Sequence, residues 1–402
     1  MSGSSLPPDA PRTDALRAVA APPRHAILPR RRATEGVLRF AAAALAVVVV
    51  SALAVAGTVA SSWNARLQAS VVSIQDTPLP EIGKIEGGFN ILIVGSDTRE
   101  GQGGLGGSEE DVEGMRNDVT ILLHVAEDQR SAVAVSFPRD LEVELPECAR
   151  EFGYWNKLNT ALEIEGLPCV VETVEDLTGL PIHFAGLITF RGVVEMTDIV
   201  GGVDVCIAAP IIDPAAGLAL PEAGTYTLTG ADAAAFLRTR YGIGDGSDLG
   251  RISAQQVFLA SLVRKLQSGG VLDDPRTVFT LADAALRNMT LSEELADPYM
   301  LVSIALALKD IPQDRVTFVR WPVFYLDNGN VGTIEPLADE LLAYIAADQP
   351  FELAAVGDGL ATTADPNAPT TTPDPSPSGP ALPVVEGIPG QTAAQRSCAV
   401  GN

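Results

Sequence analysis

An uncharged apolar run near the N-terminus constrains this chain more than any other feature. Phe40–Ala60 is a 21-residue stretch without Asp, Glu, Lys or Arg. At about 1.5 Å per residue, a helix of this length crosses a hydrocarbon core of ~30 Å. Arginines crowd the flank before the run and are scarce after it, which places the N-terminus in the cytoplasm and the remainder outside. The sequence therefore predicts a protein of the cell membrane with one span over 37–60; a cleaved signal peptide is the alternative.

Composition divides the rest of the chain into further regions. Residues 1–36, rich in Pro, Arg and Ala, are predicted to form a disordered cytoplasmic tail, and 61–88 a stalk. Short apolar runs that alternate with helical patterns over 89–268 indicate an α/β domain. Residues 269–350 mix both patterns and predict a small α/β appendage. Residues 351–402, dominated by Pro, Thr, Ala and Gly, are predicted to be a disordered tail.

Several elements of the α/β domain can be located from their patterns. The run "NILIVGSD" is continuous and apolar, as expected of a strand buried on both faces. Two apolar runs between Asp118 and Asp140 surround the polar turn 127–130 and predict a hairpin. Helices are predicted at Pro168–Leu177, after Thr189, after Thr229 and over Ile252–Leu266.

Charged residues stand at the ends of apolar elements in four segments that are far apart in sequence. The segments are "GSDTR" (Asp97, Arg99), "RND" (Arg116, Asp118), "SFPRD" (Arg139, Asp140) and "RTRYGIGDGSDLGR" (Arg238, Arg240, Asp245, Asp248, Arg251). One such segment alone would be explained by a solvated loop, but four together indicate a site. Guanidinium groups bind phosphate oxygens in pairs, and carboxylates among them suit a hard divalent ion. The pattern predicts a site for a diphosphate with Mg²⁺.

Charge and cysteine content exclude other classes of protein. The formal charge of −24 argues against nucleic-acid binding, which requires a basic face. The four cysteines fit an exported domain with disulfides. Cys148 and Cys169 flank a loop whose closure would stabilise the fold by roughly 3 kcal/mol, so we expect them to pair. Cys206 and Cys398 then remain, and their pairing would hold the C-terminal tail against the domain.

Eight segments of the α/β domain resemble the LytR-CpsA-Psr family of membrane-anchored phosphotransferases of the bacterial cell envelope. They occur in family order: "ILIVGSDTR", "RNDVTILLHV", "AVSFPRD", "KLNTA", "TVEDLTGLPIHF", "MTDIVGGVDV", "LTGADAAAFLRTR" and "DLGRISAQQ". The resemblance implies a central mixed β-sheet flanked by helices. It also implies transfer of a glycopolymer from a polyprenyl-diphosphate carrier to peptidoglycan, with polyprenyl phosphate leaving. The cysteines and the Ala- and Arg-rich composition favour an actinobacterial member.

The resemblance also assigns roles to residues. Asp97 and Asp118 match the positions that hold Mg²⁺, for which Mn²⁺ can substitute. The arginines that match those lining the diphosphate are Arg116, Arg139, Arg238, Arg240 and Arg251. A polar pair that faces the site is matched by Gln255 and Gln256. Arg99 and Lys157 lie in matched segments and are predicted to bind substrate.

Some roles stay open at this point. The apolar face of Ile252–Leu266 lines a groove for the lipid tail or is ordinary core. Asp140 acts as the general base or only orients Arg139. The Gly-rich, acidic link 100–115 is a lid or, as we favour, a spacer. Two rival functions also remain: a non-catalytic wall-binding or regulatory membrane protein, and a pyrophosphatase that releases the polymer to water.

Overall fold

The computed structural model describes residues 71–72, 87–96, 116–268, 270–357, 359–368 and 382–402. The predicted cytoplasmic tail 1–36, membrane helix 37–60 and link 100–115 lie outside these ranges, as do Asp97 and Arg99. Within the ranges, no helix is both long enough and apolar enough to cross a membrane. The described part of Trp63–Asn402 forms one compact unit.

Strands and helices alternate through the first part of this unit. In chain order the strands are β1 (Val71–Val72), β2 (Phe89–Ser96), β3 (Asn117–Val125), β4 (Ala132–Phe137), β5 (Glu142–Glu144), β6 (Trp155–Lys157), β7 (Phe184–Thr189), β8 (Val203–Ile207), β9 (Ile211–Asp213), β10 (Leu218–Leu220), β11 (Gly224–Leu228), β12 (Met289–Ser292), β13 (Val316–Arg320), β14 (Val323–Tyr325), β15 (Val331–Thr333), β16 (Glu352–Leu353), β17 (Thr362–Ala364), β18 (Val384–Val385), β19 (Gly390–Thr392) and β20 (Ser397–Ala399). The α-helices are α1 (Leu162–Glu165), α2 (Leu167–Thr178), α3 (Phe190–Ile199), α4 (Gly230–Arg238), α5 (Asp248–Ser268), α6 (Pro275–Asn288), α7 (Pro298–Lys309) and α8 (Glu335–Ala346).

Eight strands form the central sheet, in the order β1-β12-β7-β2-β3-β4-β13-β19. It is mixed: β2 pairs in parallel with β7, β4 pairs in parallel with β13, and β3 lies between β2 and β4 and is antiparallel to both. All six residues of β4 are buried because helices cover both faces of the sheet. The predicted mixed sheet flanked by helices is confirmed, as is the hairpin around 127–130.

Alternation along the strands sends side chains to two separate cores. On β2, Leu92 and Val94 face a core shared with α2 and α8, while Phe89 and Ile91 face a core shared with α5, α6 and α7. A third core lies between α5 and a four-stranded sheet in the order β11-β8-β20-β17. Helix α5 therefore contacts both the central sheet and the smaller one, which makes it the element around which the site is built.

The helix predictions hold because their local end signals are strong. Gly179 ends α2 in the left-handed conformation with φ of 67°. Thr189 caps α3 by accepting a hydrogen bond from the Gly192 backbone N–H. Both predicted disulfides are present, Cys148–Cys169 and Cys206–Cys398.

The predicted appendage and the predicted disordered tail are wrong where the structure describes them. β12 and β13 from 269–350 are strands of the central sheet, paired with β7 and β4. From 351–402, β19 pairs with β13, and β20 lies between β8 and β17. Val71–Val72 of the predicted stalk also pairs with β12 at the sheet edge. β13 lies in a run with a visible strand pattern, but the pattern does not show that it joins the central sheet; β1 and β19 are only two and three residues long, too short for a periodic signal.

Candidate active site

The hairpin β3–β4 brings the first predicted acid and arginine together. Asp118 is the second residue of β3, and Arg139 comes two residues after the end of β4. In an antiparallel hairpin these two points are neighbours, and Thr120 pairs with Phe137. The Arg139 Nη1 donates a hydrogen bond of 2.6 Å to Asp118 Oδ1. Residues predicted separately thus form one ion pair.

The first turn of α5 adds a second arginine and a second carboxylate. Arg251 is only 4% exposed, and its Nη2 donates to the Asp118 backbone oxygen over 2.7 Å. The same guanidinium forms an ion pair with Asp248 one turn earlier. Asp248 Oδ2 in turn accepts a hydrogen bond of 3.3 Å from the Arg139 backbone N–H. The sequence analysis named Asp248 in the fourth charged segment but assigned it no role of its own.

Asp140 is held ionised by cations on two sides. Burial acts to raise its pKa, but the hydrogen bond from Lys157 and the charge of Arg139 outweigh burial, so the pKa lies below the usual range. The Lys157 Nζ is 2.9 Å from Asp140 Oδ1, and the Arg139 Nε is 3.5 Å from Oδ2. A carboxylate with a lowered pKa is a weak proton acceptor at neutral pH. Of the two roles left open, the geometry favours orienting Arg139.

The charge of Arg139 is likewise fixed by its neighbours. Burial alone would lower its pKa, but Asp118, Asp140 and Asp248 together raise it above its ordinary value. Its side chain is 23% exposed, so the guanidinium keeps one open side while three carboxylates hold it in place. Fixed donors of this kind need no rearrangement when an anion binds.

A second arginine segment follows α4, which ends at Arg238. The Arg238 guanidinium carbon lies 4.7 Å from the centre of the Phe190 ring, and Nη2 donates to the Ala216 oxygen over 3.1 Å. The side chain of Arg240 makes no hydrogen bond and no salt bridge with any residue that the structure describes. A half-buried cation left in this state is suited to an anionic ligand.

Asp213 forms hydrogen bonds with the segment that follows α4, and the sequence analysis did not identify it. It is 1% exposed and accepts hydrogen bonds from the Thr239 hydroxyl (2.7 Å) and the Arg240 backbone N–H (3.1 Å). It also accepts from the backbone N–H groups of Ala215 and Ala216. These bonds outweigh burial and place its pKa below the usual range. The "DPAAG" turn chemistry was a usable signal.

The C-terminal residues also contact this loop, which no sequence signal indicated. The Gly244 backbone N–H donates to the Val400 oxygen over 3.0 Å, and the Asn402 backbone N–H donates to the Gly242 oxygen over 3.2 Å. The loop that follows Arg240 is therefore stabilised from the far end of the chain.

Two cavities meet at these residues. The arginine cleft, about 190 Å³, is lined by Asp118, Arg139, Phe190, Asp213, Ala215, Ala216, Arg238, Arg240, Tyr241 and Arg251. The apolar cavity, about 200 Å³, lies among β2, β3, β7 and helices α3, α4 and α5, with Phe258, Leu259 and Leu262 contributed by α5. Asp118 and Phe190 line both. The groove predicted on the apolar face of Ile252–Leu266 is thus present, although most of that face is core.

Other predicted site residues lie outside the arginine cleft. Arg116 is half-exposed and pairs with Glu163 over 3.6 Å instead of lining the cleft, because it precedes β3 and points to the surface. Lys157 reaches the site only through Asp140. Gln255 Nε2 donates to the Leu237 oxygen over 2.9 Å and so supports the end of α4. Gln256 is buried and lines neither cavity.

Asp118 has free donor atoms for the predicted metal role. Its Oδ1 accepts a hydrogen bond from Arg139, and among the described residues Oδ2 has only a 3.8 Å contact with Arg251, so lone pairs remain for a cation. Ser96, at the end of β2, pairs with Asn117, the residue before Asp118. Oxygen donors of this kind suit Mg²⁺.

Comparisons with known proteins agree with this geometry. The LytR_cpsA_psr family pattern matches residues 50–346. The chain is 32% identical over 271 residues to the cell wall biosynthesis protein LcpA of Corynebacterium glutamicum, covering 60% of this chain and 51% of LcpA. It is 26% identical over 234 residues to the polyisoprenyl-teichoic acid–peptidoglycan teichoic acid transferase TagT of Bacillus subtilis, covering 57% of this chain and 67% of TagT. The structure of a LytR-Csp2A-Psr enzyme from Actinomyces oris has a TM-score of 0.52 at 21% identity, covering 69% of this chain and 96% of the other.

The comparisons differ in what they support. The matched region spans about half the length of LcpA. At 21% identity, the Actinomyces structure supports the fold alone. The family pattern covers most of the chain and includes every described residue of the arginine cleft. The chain therefore belongs to the LytR_cpsA_psr family.

Proposed function

We propose that this protein is a membrane-anchored phosphotransferase that moves a glycopolymer from a polyprenyl-diphosphate carrier to peptidoglycan. One observation carries the proposal: the arginine cleft and the apolar cavity share Asp118 and Phe190. A ligand with a doubly charged head and an apolar tail would fill both at once. Neither a free sugar phosphate nor a plain lipid has both parts.

The cleft would act on the diphosphate by positioning and charge. Arg139 and Arg251 are fixed by carboxylates before the substrate binds, and within the described residues the Arg240 side chain has no hydrogen bond or salt bridge that binding would have to break. The acceptor hydroxyl oxygen forms a bond to the sugar-side phosphorus. The bond from that phosphorus to the bridging oxygen breaks, polyprenyl phosphate leaves with the electron pair, and the hydroxyl proton is released. Such transfers need little covalent help from the protein.

The apolar cavity would receive the beginning of the polyprenyl chain. Its lining includes Ile93, Val119 and Ile121 from the sheet, facing Val193 and Met196 from α3. Each buried CH₂ group stabilises a bound chain by about 0.8 kcal/mol. Binding energy from this remote part of the substrate would hold the phosphorus in the cleft.

Asp118, together with Asp97, would hold Mg²⁺ in this proposal. The ion would neutralise diphosphate charge when bound. We expect Asp97→Ala to leave the melting temperature unchanged while Mg²⁺-dependent turnover collapses. Near-normal Mg²⁺-dependent turnover in this variant would show that the metal assignment is wrong.

The names of the relatives support the same chemistry. LcpA is a cell wall biosynthesis protein, and TagT is a transferase that joins teichoic acid to peptidoglycan. Membrane anchoring rests on the sequence of 37–60, with the N-terminus cytoplasmic and the catalytic domain extracellular. If it is correct, the full-length protein resists extraction by carbonate and dissolves in detergent; a mature N-terminus near Ser61 would contradict it.

The decisive experiment uses full-length protein in detergent with Mg²⁺ and a lipid-diphosphate glycan. One arm contains peptidoglycan oligomers and the other does not. The proposal expects polyprenyl phosphate and a glycan–peptidoglycan phosphodiester in the first arm. Free glycan phosphate in both arms, without the phosphodiester, would identify a pyrophosphatase. No product in either arm would favour a non-catalytic wall-binding protein.

A further inference from the structure

A small hairpin beside the arginine cleft presents an exposed tryptophan on a polar face. In this hairpin β5 pairs with β6, so that Glu144 lies opposite Trp155 and Glu142 lies opposite Lys157. Val143, between the two glutamates, is 3% exposed and belongs to the core. Neighbouring residues on a strand point to opposite faces, and directly paired residues share a face. Glu142, Glu144, Trp155 and Lys157 therefore share the outward face.

Trp155 is exposed and lies beside a second aromatic ring. Its side chain is 62% exposed, and its ring centre lies 6.3 Å from that of Tyr154. The Arg150 guanidinium carbon sits 4.5 Å from the Tyr154 ring centre, and Arg150 also pairs with Glu144 over 3.8 Å. The Cys148–Cys169 disulfide closes the segment that carries the ring. A preorganised aromatic ring binds with less loss of conformational entropy.

At the opposite edge of the same face, Glu142 is held by hydrogen bonds from two asparagines. Glu142 Oε1 accepts hydrogen bonds from the side-chain amides of Asn328 (2.7 Å) and Asn330 (2.6 Å). These bonds hold the pKa of Glu142 below its usual range. The face thus combines one aromatic ring with carboxylates and amides, all oriented by other side chains.

Two side-chain contacts connect this face to the arginine cleft. Trp155 and Lys157 are two residues apart on one strand face, about 7 Å between Cα atoms. Lys157 binds Asp140 over 2.9 Å, and Asp140 contacts Arg139, which lines the cleft. A chain of two or three sugar rings that leaves the cleft past Lys157 would reach Trp155.

We propose that the outward face of this hairpin binds the glycan strand of the acceptor, an oligosaccharide of N-acetylated amino sugars. The name acceptor rests on the proposed function. A pyranose ring has an apolar face of C–H groups and a rim of hydroxyls. The C–H face packs on Trp155, while Glu144 accepts hydrogen bonds from the hydroxyls. A lipid would need an apolar surround, which this face of charged side chains does not provide.

The test uses the full-length chain in detergent, a lipid-diphosphate glycan as donor and an uncrosslinked peptidoglycan tetrasaccharide as acceptor. We compare Trp155→Ala, Trp155→Phe and Glu144→Gln with Tyr299→Ala, an exposed tyrosine in the first turn of α7. Loss of one stacked ring raises the half-saturating acceptor concentration roughly tenfold in Trp155→Ala. Trp155→Phe recovers most of the loss, Glu144→Gln shows a smaller loss, and Tyr299→Ala matches the wild type. Donor half-saturation is unchanged in all four.

Direct binding of the tetrasaccharide, without donor, separates this inference from the proposed function. If the wild type cleaves no donor but Trp155→Ala still weakens tetrasaccharide binding, the surface is right and the transferase proposal fails. If the wild type transfers the glycan but Trp155→Ala and Glu144→Gln keep wild-type acceptor dependence and tetrasaccharide binding, the surface is wrong.

Discussion

The arginine cleft and the apolar cavity have almost the same volume, about 190 and about 200 Å³, yet their linings are opposite in character. A single helix serves both. The first turn of α5 supplies Asp248 and Arg251 to the charged side, and two turns later Phe258, Leu259 and Leu262 line the apolar side. The difference shows that polar and apolar recognition are separated along one rigid element. Head-group and tail recognition should therefore be separable by substitution.

The largest effect should come from removing Arg240, whose side chain no described residue binds through a hydrogen bond or a salt bridge. Arg240→Ala should leave the melting temperature unchanged, because its side chain makes no hydrogen bond or salt bridge with the described residues. Loss of about 3 kcal/mol of transition-state stabilisation lowers donor turnover roughly a hundredfold. The measurement is donor turnover at several chain lengths, with the exposed Arg276→Ala as the matched control. Wild-type turnover in Arg240→Ala would remove this arginine from the site.

A charge in the apolar cavity should act on the tail alone. Met196→Glu places a carboxylate among apolar side chains, and we expect roughly thirtyfold weaker use of long-chain donors but little change for a donor with a truncated chain. Met196→Leu, which preserves volume, is the control. The measurement is half-saturation against prenyl length. An equal loss for long and short chains would mean that the two cavities do not divide the substrate as proposed.

The shared residue Phe190 should show an intermediate effect. Its ring supports the Arg238 guanidinium at 4.7 Å. Removing a cation–π contact of about 1 kcal/mol and the adjoining apolar contact should reduce turnover up to roughly tenfold in Phe190→Leu. Phe190→Tyr keeps the ring and should stay near wild type. Equal losses in both variants would show that ring support for Arg238 is not the role of Phe190, because only one of the two variants removes the ring.

The smallest effect concerns Asp140 and pH. Its folded-state pKa lies below the ordinary value of 3.8, so it contributes stability above about pH 4 that is lost as pH falls through the lower folded value. Asp140→Asn should therefore flatten the acid side of a plot of melting temperature against pH. Between about pH 5 and pH 8, turnover should fall only a few-fold with an unchanged profile, because the group is already ionised. An ionisation that disappears from this range in the variant would identify Asp140 as the general base.

Local signals explain which parts of the fold could be predicted from the sequence. The β3–β4 hairpin and helices α2 to α5 have caps, turns and apolar periods that lie within a few residues of each element. β19 has no such signal, and the strand-like run that contains β13 does not say which strand it joins, because both pair with partners from distant parts of the chain. Strand pairing of this kind is a tertiary property, which composition over 269–402 could not reveal.

The residues of the site also fall into two groups: those that local sequence could predict and those whose role depends on the tertiary fold. Asp118 and Arg139 were predictable as neighbours because a hairpin relates them directly. Arg116, two residues before Asp118, looked equivalent in sequence but lies on the surface with Glu163. Asp213 stands outside the four charged segments of the sequence. Its role depends on the folded path that brings it to Thr239.

The bonds between residues 400–402 and the loop after Arg240 determine how late in folding this loop reaches its final structure. Asn402 and Tyr241 are 161 positions apart, yet they are joined by a hydrogen bond. Contacts over such separations form late in folding because closing a long loop costs chain entropy. A ribosome that has finished Arg240 has therefore not yet made the residues that shape the loop around it. Nascent chains and fragments that lack 400–402 would hold the donor poorly, so competence would be acquired only after synthesis has passed these residues.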